Sequence, residues 1–315
     1  MKKALASRKK EKTASGSKSV HDRFSSLFSH LITPEHVREH ESRSRKTTSG
    51  KSGYLSPEGK VQCRAVKLFM DGVVEKDTAF RLDRHPVPGI PAFNNKDLDR
   101  AVCLADHLGL QVAAHCIGNG SVNAMLNSVE EARRENAQTD RKRGDKVRHR
   151  IEHIELCNSF DIPRFSRLEV IASMQALHER EPVTLWHEKI PEIEWSTAFP
   201  WKSLINSGAT LVFGSDWPIV SCNCLKGIER ATGRKPWKTG MPEQHLQPVQ
   251  ALDAFTSSAA RAEYAENIKG EILPGMLADI AVLSRDLRGV ETGFEDIRVL
   301  HTINGGEVVY SNGEE

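Results

Sequence analysis

From about residue 61 onward, short apolar runs alternate with longer amphipathic stretches. The runs are AVKLFMDG (65–72), LQVAAH (Leu110–His115), RIEH (Arg150–His153), VIASMQALH (170–178) and TLVFGSD (Thr210–Asp216). Each has the length of a short strand. Between them the apolar positions recur at helical spacing. Asp97–Leu108 puts Leu98, Ala101, Leu104, Ala105 and Leu108 on one face, with Gly109 as the stop. A second helix is expected to be capped by Ser121, with Val122, Met125, Leu126 and Val129 inward. Further helices are predicted over Phe160–Leu168, Phe199–Asn206 and Pro248–Ala262. Strand, polar tip and helix in repetition predict an α/β fold around a parallel sheet of about five strands. A closed eight-stranded barrel usually takes ~250 residues, so these strands predict at most part of one. After Gln247 the pattern changes to short β-rich runs. Val299–Ile303 and Glu307–Tyr310 are expected to form a hairpin around Asn304-Gly305.

The first 60 residues read differently. Lys2, Lys3, Arg8, Lys9, Lys10 and Lys12 form a basic block followed by Ser, Thr and Gly. Such a segment buries too little apolar surface to offset its ordering entropy. A solvated, mostly disordered tail is the simpler expectation, against a nucleic-acid or nuclear-import patch. Two short helices are predicted within it, near Val20–His30 and over Pro34–His40. The predicted organisation is therefore a basic segment (1–60), an α/β domain (61–262) and a β-rich C-terminal segment (263–315).

The 315 residues carry a net charge of only +2, which gives no general attraction to nucleic acid. There is no apolar stretch of about 18 residues and no secretory leader pattern at the start, so a cytoplasmic protein is expected. Cys63, Cys103, Cys116, Cys157, Cys222 and Cys224 form no CxxC pair and read as buried free thiols in a reducing compartment.

The candidate chemistry lies at the strand ends. His115, His153 and Asp216 each close an apolar run, and Lys67 stands inside one. Ligands of α/β folds collect at the carboxyl ends of parallel strands, where imidazoles and a carboxylate from separate strands can converge on one metal ion. Each residue also has a plainer reading. A lone Lys in an apolar strand is usually an edge or snorkelling residue, which is the plainer reading of Lys67, and His149, in the same RHRIEH run as His153, is read as packing or orienting.

In this order, KLFMDGVVE, AAHCIGNG, RHRIEH, IASMQALH, FGSDWP and KGEILPGMLADIAVL resemble the amidohydrolase superfamily over about residues 61–310. The resemblance is to its amidohydrolase-3 branch, which includes YtcJ-like proteins and N-substituted formamide deformylases. It implies strands 4–8 of a TIM-like barrel with part of a small β-sandwich. It also implies hydrolysis of a small amide-like substrate at a carbon–nitrogen bond, with a divalent metal, zinc being expected. Residue by residue, Lys67 matches the lysine that is often carboxylated, and His115 and His153 match the ligands on the fifth and sixth strands. Asp216 matches the eighth-strand aspartate, which touches the metal and moves the proton. His178 and Trp217 are placed on the substrate side. The sequence departs from the pattern in having no His-x-His pair; His36 and His40 are spaced four apart instead. The strands that would carry that pair have no counterpart, and IVSCNCLKG follows FGSDWP where a Pro/Asp-rich turn is expected. A second reading therefore stays open, a non-catalytic remnant that acts only with a partner supplying the missing strands. Unpaired strand edges also favour homo-oligomers, whereas neither a membrane nor nucleic acid is an expected partner.

Overall fold

The computed structural model describes residues 54–55, 62–82, 94–137, 147–179, 184–288, 290 and 294–313. The basic block and both short helices expected before residue 54 lie outside the described residues.

Five parallel strands form the main sheet: β3 (Ala65–Phe69), β4 (Gln111–Cys116), β5 (Arg150–His153), β6 (Ile171–Met174) and β7 (Leu211–Phe213), in that spatial order. They are preceded by a two-residue pair, β1 (Tyr54–Leu55) and β2 (Gln62–Cys63). Between the strands run α1 (Asn95–Leu108), α2 (Asn119–Ala137), α3 (Ile162–Leu168), α4 (Leu185–Lys189) and α5 (Trp201–Asn206). After β7 come α6 (Cys224–Gly233), α7 (Pro248–Phe255) and α8 (Ser257–Ala262). A separate antiparallel sheet, in the order β10-β9-β8, comprises β8 (Ile280–Leu283), β9 (Val299–Asn304) and β10 (Glu307–Ser311).

The register sorts side chains onto two faces. Phe69 pairs with His115, His115 with Glu152, Glu152 with Ser173 and Ser173 with Val212. Paired residues of parallel strands share a face, so Lys67, Phe69, Gln111, His115, Arg150, Glu152 and Ser173 make one side largely polar. The other side carries Leu68, Val112, Ala114, Cys116, Ile151, Ala172, Met174 and Phe213, all buried. Helices α1 and α2 pack on β4, and α5, α7 and α8 on β7. Each fully buried Ile or Met of this layer is worth about 1.5–3 kcal/mol. At the amino end of the polar face Ala262 packs on Ile171 and Val212, and Gln111 Nε2 donates to Ala262 O at 2.9 Å.

The helices mostly follow their capping chemistry. Asn94 starts α1 by accepting from the Asp97 amide at 3.0 Å, and Gly109, at φ 74°, ends it. Three expectations are corrected. Ser121 is not a cap, because α2 begins at Asn119; its hydroxyl instead donates to Asp71 Oδ2 at 2.8 Å. Pro248–Ala262 is two helices, split at Thr256, whose Oγ1 donates back to Leu252 O at 2.8 Å and competes with the backbone ladder. The hairpin turn is Gly305-Gly306, with φ of 58° and 88°, and Asn304 belongs to β9. Cys116 and Cys157 are buried as expected, whereas Cys63, Cys222 and Cys224 are exposed, and all six are free thiols. Among the described residues no helix is long and apolar enough to cross a membrane.

His149 is structural. Its Nδ1 accepts the Val112 amide at 3.0 Å, which leaves Nε2 to donate to Asp106 Oδ1 at 3.1 Å. Asp106, wholly buried, also accepts from Arg133 Nη1 at 2.6 Å and Asn136 Nδ2 at 2.6 Å. Burial alone would raise the Asp106 carboxyl; the His149 hydrogen bond, the Arg133 charge and the Asn136 hydrogen bond outweigh it and hold the pKa below the usual range. A depressed folded pKa gives stability that is complete above the unfolded carboxylate range, about pH 4, and is lost as pH falls below it. Asp106→Ala should therefore destabilise the fold by about 3–5 kcal/mol at pH 7, as for a buried pair that loses one partner. The deficit should shrink as pH drops below about 4, as read by urea unfolding.

Candidate metal centre

The carboxyl ends of the five strands bring together four groups. His115 ends the inward row of β4, with its ring centroid 4.4 Å from that of His153. In a regular strand His153 would share the helix-side face with its register partner Cys116. Its φ of 78°, followed by 52° at Ile154, breaks the alternation, and the ring stands between His115 and His178. His178 closes a 3-10 turn, Ala176–His178, directly after β6; its ring lies parallel to that of His153, 5.7 Å away at 4°. Asp216 follows β7, also at a left-handed φ of 56°, with Oδ2 3.9 Å from His178 Nε2. One ligand atom each from His153, His178 and Asp216 lies within 4.8 Å of the others.

Hydrogen bonds fix which nitrogen of two rings is basic. His153 Nδ1 faces Gln175 Oε1 at 2.8 Å, so Nδ1 carries the proton and Nε2 the lone pair. His115 Nε2 faces Gly72 O at 3.2 Å, with Asp71 Oδ1 3.7 Å away, which leaves Nδ1 as its basic nitrogen. A metal-binding histidine ordinarily anchors its second nitrogen in this way. Burial pushes the His153 pKa down to about 3, and the electrostatic interactions with His115, His178 and Lys67 act in the same direction. The ring is therefore neutral and available as a donor at physiological pH. Lys67 is exposed on β3, its Nζ 5.2 Å from the centre of the Phe69 ring. An ammonium has no lone pair, so as it stands Lys67 offers nothing to a cation.

The model of the Amidohydrolase family matches residues 14–310. The chain belongs to the amidohydrolase family. Within it, the match to the putative amidohydrolase YtcJ of Bacillus subtilis is 26% identical, covering 79% of this chain and 47% of that protein. The match to the N-substituted formamide deformylase of Arthrobacter pascens is 24% identical, covering 70% and 40%. LONG AFTER FAR-RED 3 of Arabidopsis thaliana is 31% identical over 78% of this chain and 42% of its own length. The chain thus spans less than half the length of these relatives. Among solved structures, an uncharacterised metal-dependent hydrolase from Pyrococcus horikoshii matches 82% of this chain and 50% of its own, with a TM-score of 0.63 and 25% identity. The amidohydrolase-3 resemblance read from the motifs therefore stands, and an α/β fold with a parallel sheet is shared with metal-dependent hydrolases.

Of the residues singled out in the sequence, this amidohydrolase-family chain brings His115, His153, His178 and Asp216 to one locality. Lys67 lies two residues before Phe69, the register partner of His115. Trp217 is 70% exposed beside Asp216, and Ile219 68% and Phe69 61% exposed. The sequence reading missed Gln175 and Asp71. A polar residue directly after an apolar strand, ahead of a candidate ligand, was the available signal for Gln175. For Asp71 it was the Asp-Gly pair that ends AVKLFMDG. Because the unfolded His153 titrates near its ordinary value of 6.5 and the folded ring near 3, the unfolded chain binds the extra proton as pH falls. The metal-free protein should therefore lose stability progressively as pH drops through the 6.5 to 3 interval. Urea unfolding of His153→Gln over the same interval should give a flatter curve, and a slope equal to that of the parent chain would count against a neutral folded His153.

Proposed function

We propose that this chain is a metal-dependent hydrolase of amide-like carbon–nitrogen bonds. In this reading β3–β7 are strands of a TIM-like barrel, β8–β10 are part of a small β-sandwich, and zinc is the resident cation. What carries the reading is the convergence of His115, His153, His178 and Asp216 on one end of a parallel sheet, a set of imidazole nitrogens and a carboxyl group. That donor set suits a borderline divalent ion. A bound divalent cation supplies Lewis-acid polarisation of a carbonyl and acidifies a water at neutral pH.

The chain's own groups account for the rest. His153 offers Nε2 because Gln175 holds Nδ1, and His115 offers Nδ1 because Gly72 O holds Nε2. Asp216, at the mouth of the site with its side chain 43% exposed, takes the proton from the attacking water and returns it to the departing nitrogen. Its exposure is compatible with reach to substrate. Phe69, Trp217 and Ile219 give the mouth exposed apolar surface suited to the organic part of an amide. The family resemblance makes Lys67, as a carbamate, a further ligand.

The test is release of amine from a panel of N-acyl amines and N-substituted formamides by zinc-loaded protein. Turnover should vanish on treatment with chelator and return on adding zinc. Asp216→Asn should lower kcat/KM by about 10²–10⁴-fold, the range for a lost general acid–base group. Turnover that survives both treatments would reject the mechanism.

A further inference from the structure

We infer that Cys222 and Cys224 form a redox site, a pair of exposed thiols that a hydroperoxide closes to an intramolecular disulfide and a small thiol reopens. The pair lies on the loop that carries Asp216, and the inference stands whether or not a metal binds nearby. IVSCNCLKG is also the stretch that departs from the Pro/Asp-rich turn implied by the family resemblance, so the pair is a feature of this chain.

Exposure and backbone geometry carry it. Both are exposed free thiols, whereas Cys116 and Cys157 are buried. Asn223, between them, is extended, at φ -72° and ψ 104°. Across an extended residue the two flanking side chains point to the same side. A fully extended strand would put their Cα atoms about 6.8 Å apart, and a ψ short of the strand value of about 135° brings them closer. That separation falls within the roughly 4.4–6.8 Å that a disulfide spans. The Cys224 sulfur is already turned back, its Sγ donating to Cys222 O at 3.7 Å. Asn223 is itself held. Its Oδ1 caps α6 by accepting the Leu225 amide at 3.0 Å and the Lys226 amide at 3.4 Å, and its N donates to Ser221 Oγ at 3.3 Å. Closure therefore asks chiefly for rotation of two exposed side chains about a backbone already set.

The chemistry balances with one hydroperoxide. Burial, with Cys222 adding to it, pushes the Cys224 thiol above its ordinary value, which favours Cys224 as the resolving thiol and leaves the attack to Cys222. Cys222 Sγ attacks the outer peroxide oxygen, the O–O bond breaks, and the alcohol leaves with the thiol proton. Cys222 is then a sulfenic acid. Cys224 Sγ attacks that sulfur, its proton leaves with the hydroxyl as water, and the S–S bond forms. Two thiols lose two electrons and one peroxide gains them. An exposed disulfide across a single residue is of the labile kind, and in a reducing compartment such bonds are transient and redox-sensing.

The ring closes on a loop pinned at both ends. Gly214 N donates to Met174 O at 3.1 Å at the end of β7, and Gly227 of α6 lies so close to Phe255 that a Cβ there would meet its ring at 2.5 Å. Between these pins Asp216, Trp217, Pro218 and Ile219 are exposed, as are residues 221–224. Oxidation therefore stiffens the segment that carries Asp216 and Trp217.

The test treats the full, chelator-stripped chain with hydrogen peroxide, alkylates the remaining thiols and digests with trypsin. Residues 203–226 form one tryptic peptide, because no Lys or Arg lies between Lys202 and Lys226. That peptide should be lighter by two hydrogens and carry no alkyl group, with two of the six thiols lost and both restored by dithiothreitol. Hydrogen exchange of the amides over residues 215–223 should slow on oxidation. Cys222→Ser and Cys224→Ser should each yield no closed peptide and instead leave one thiol open to glutathione. A peptide still alkylated after peroxide, a disulfide to another cysteine or to a second chain, or sulfinic acid formed without closure would overturn the inference. Unchanged exchange over residues 215–223 in the closed form would refute the stiffening.

Discussion

A single buried carboxylate ties together the end of the sheet on which the site is built. Asp71, just beyond β3, accepts the amides of Ile117 at 3.0 Å, Gly118 at 2.8 Å and Phe80 at 3.0 Å, together with the Ser121 hydroxyl at 2.8 Å. Those donors belong to the loop after β4, the segment after β3 and the first turn of α2. Burial raises the Asp71 pKa, and the hydrogen bonds from Gly118, Ile117, Phe80 and Ser121 pull against it. Because each orphaned buried donor costs about 1–3 kcal/mol, the carboxylate and its donors stabilise the native arrangement as a set. The approach is so close that a Cβ on Gly118 would meet Phe80 O at 2.0 Å, so glycine is required there. The same carboxylate stands beside His115 Nε2, so the ring that faces the site is aligned by the group that joins the two strands.

Much of this was legible in the sequence, for identifiable reasons. A parallel strand buried on its helix side and ended by a polar residue leaves a clear trace, and AVKLF, LQVAAH and RIEH each gave a strand where one is found. Gly109 stops α1 because a left-handed residue is needed at that point. What stayed hidden depends on contacts distant in sequence. Ser121 looks like a cap until Asp71, fifty positions earlier, claims its hydroxyl. Thr256 looks like ordinary helix until its side chain takes Leu252 O. His149 and His153, four residues apart in the same RHRIEH run, differ only in what surrounds them: Asp106 and the Val112 amide for one, Gln175 and two further histidines for the other.

The site also carries backbone strain that no sequence pattern announces. His153, Ile154 and Asp216 all have left-handed φ values, and for β-branched Ile154 that conformation is especially unfavourable. Such residues cost of order 1–3 kcal/mol each and persist only where the surroundings over-determine them. Here the surroundings can be named. Ile154 N donates to Cys116 O at 3.0 Å, and Leu156 N to Ile117 O at 2.9 Å, so the loop after β5 is stitched to the loop after β4. Glu155, next in line, receives Trp186 Nε1 at 2.8 Å and offers its carbonyl to Phe199 N at 2.9 Å.

That strain and the depressed His153 pKa have a common consequence. A neutral imidazole forced off its strand's alternation, stacked on a second imidazole and close to a third, is costly for a folded chain with nothing bound. Stabilisation by a ligand that binds only the native state follows RT ln(1 + [L]/Kd), about 2.7 kcal/mol at a hundred times Kd. This is the same order as the strain of one or two left-handed residues. A cation at the proposed site would thus offset what its own ligands cost the fold. The arrangement of His153 makes physical sense as half of an interaction, with the other half supplied by the ion that its free Nε2 is oriented to receive.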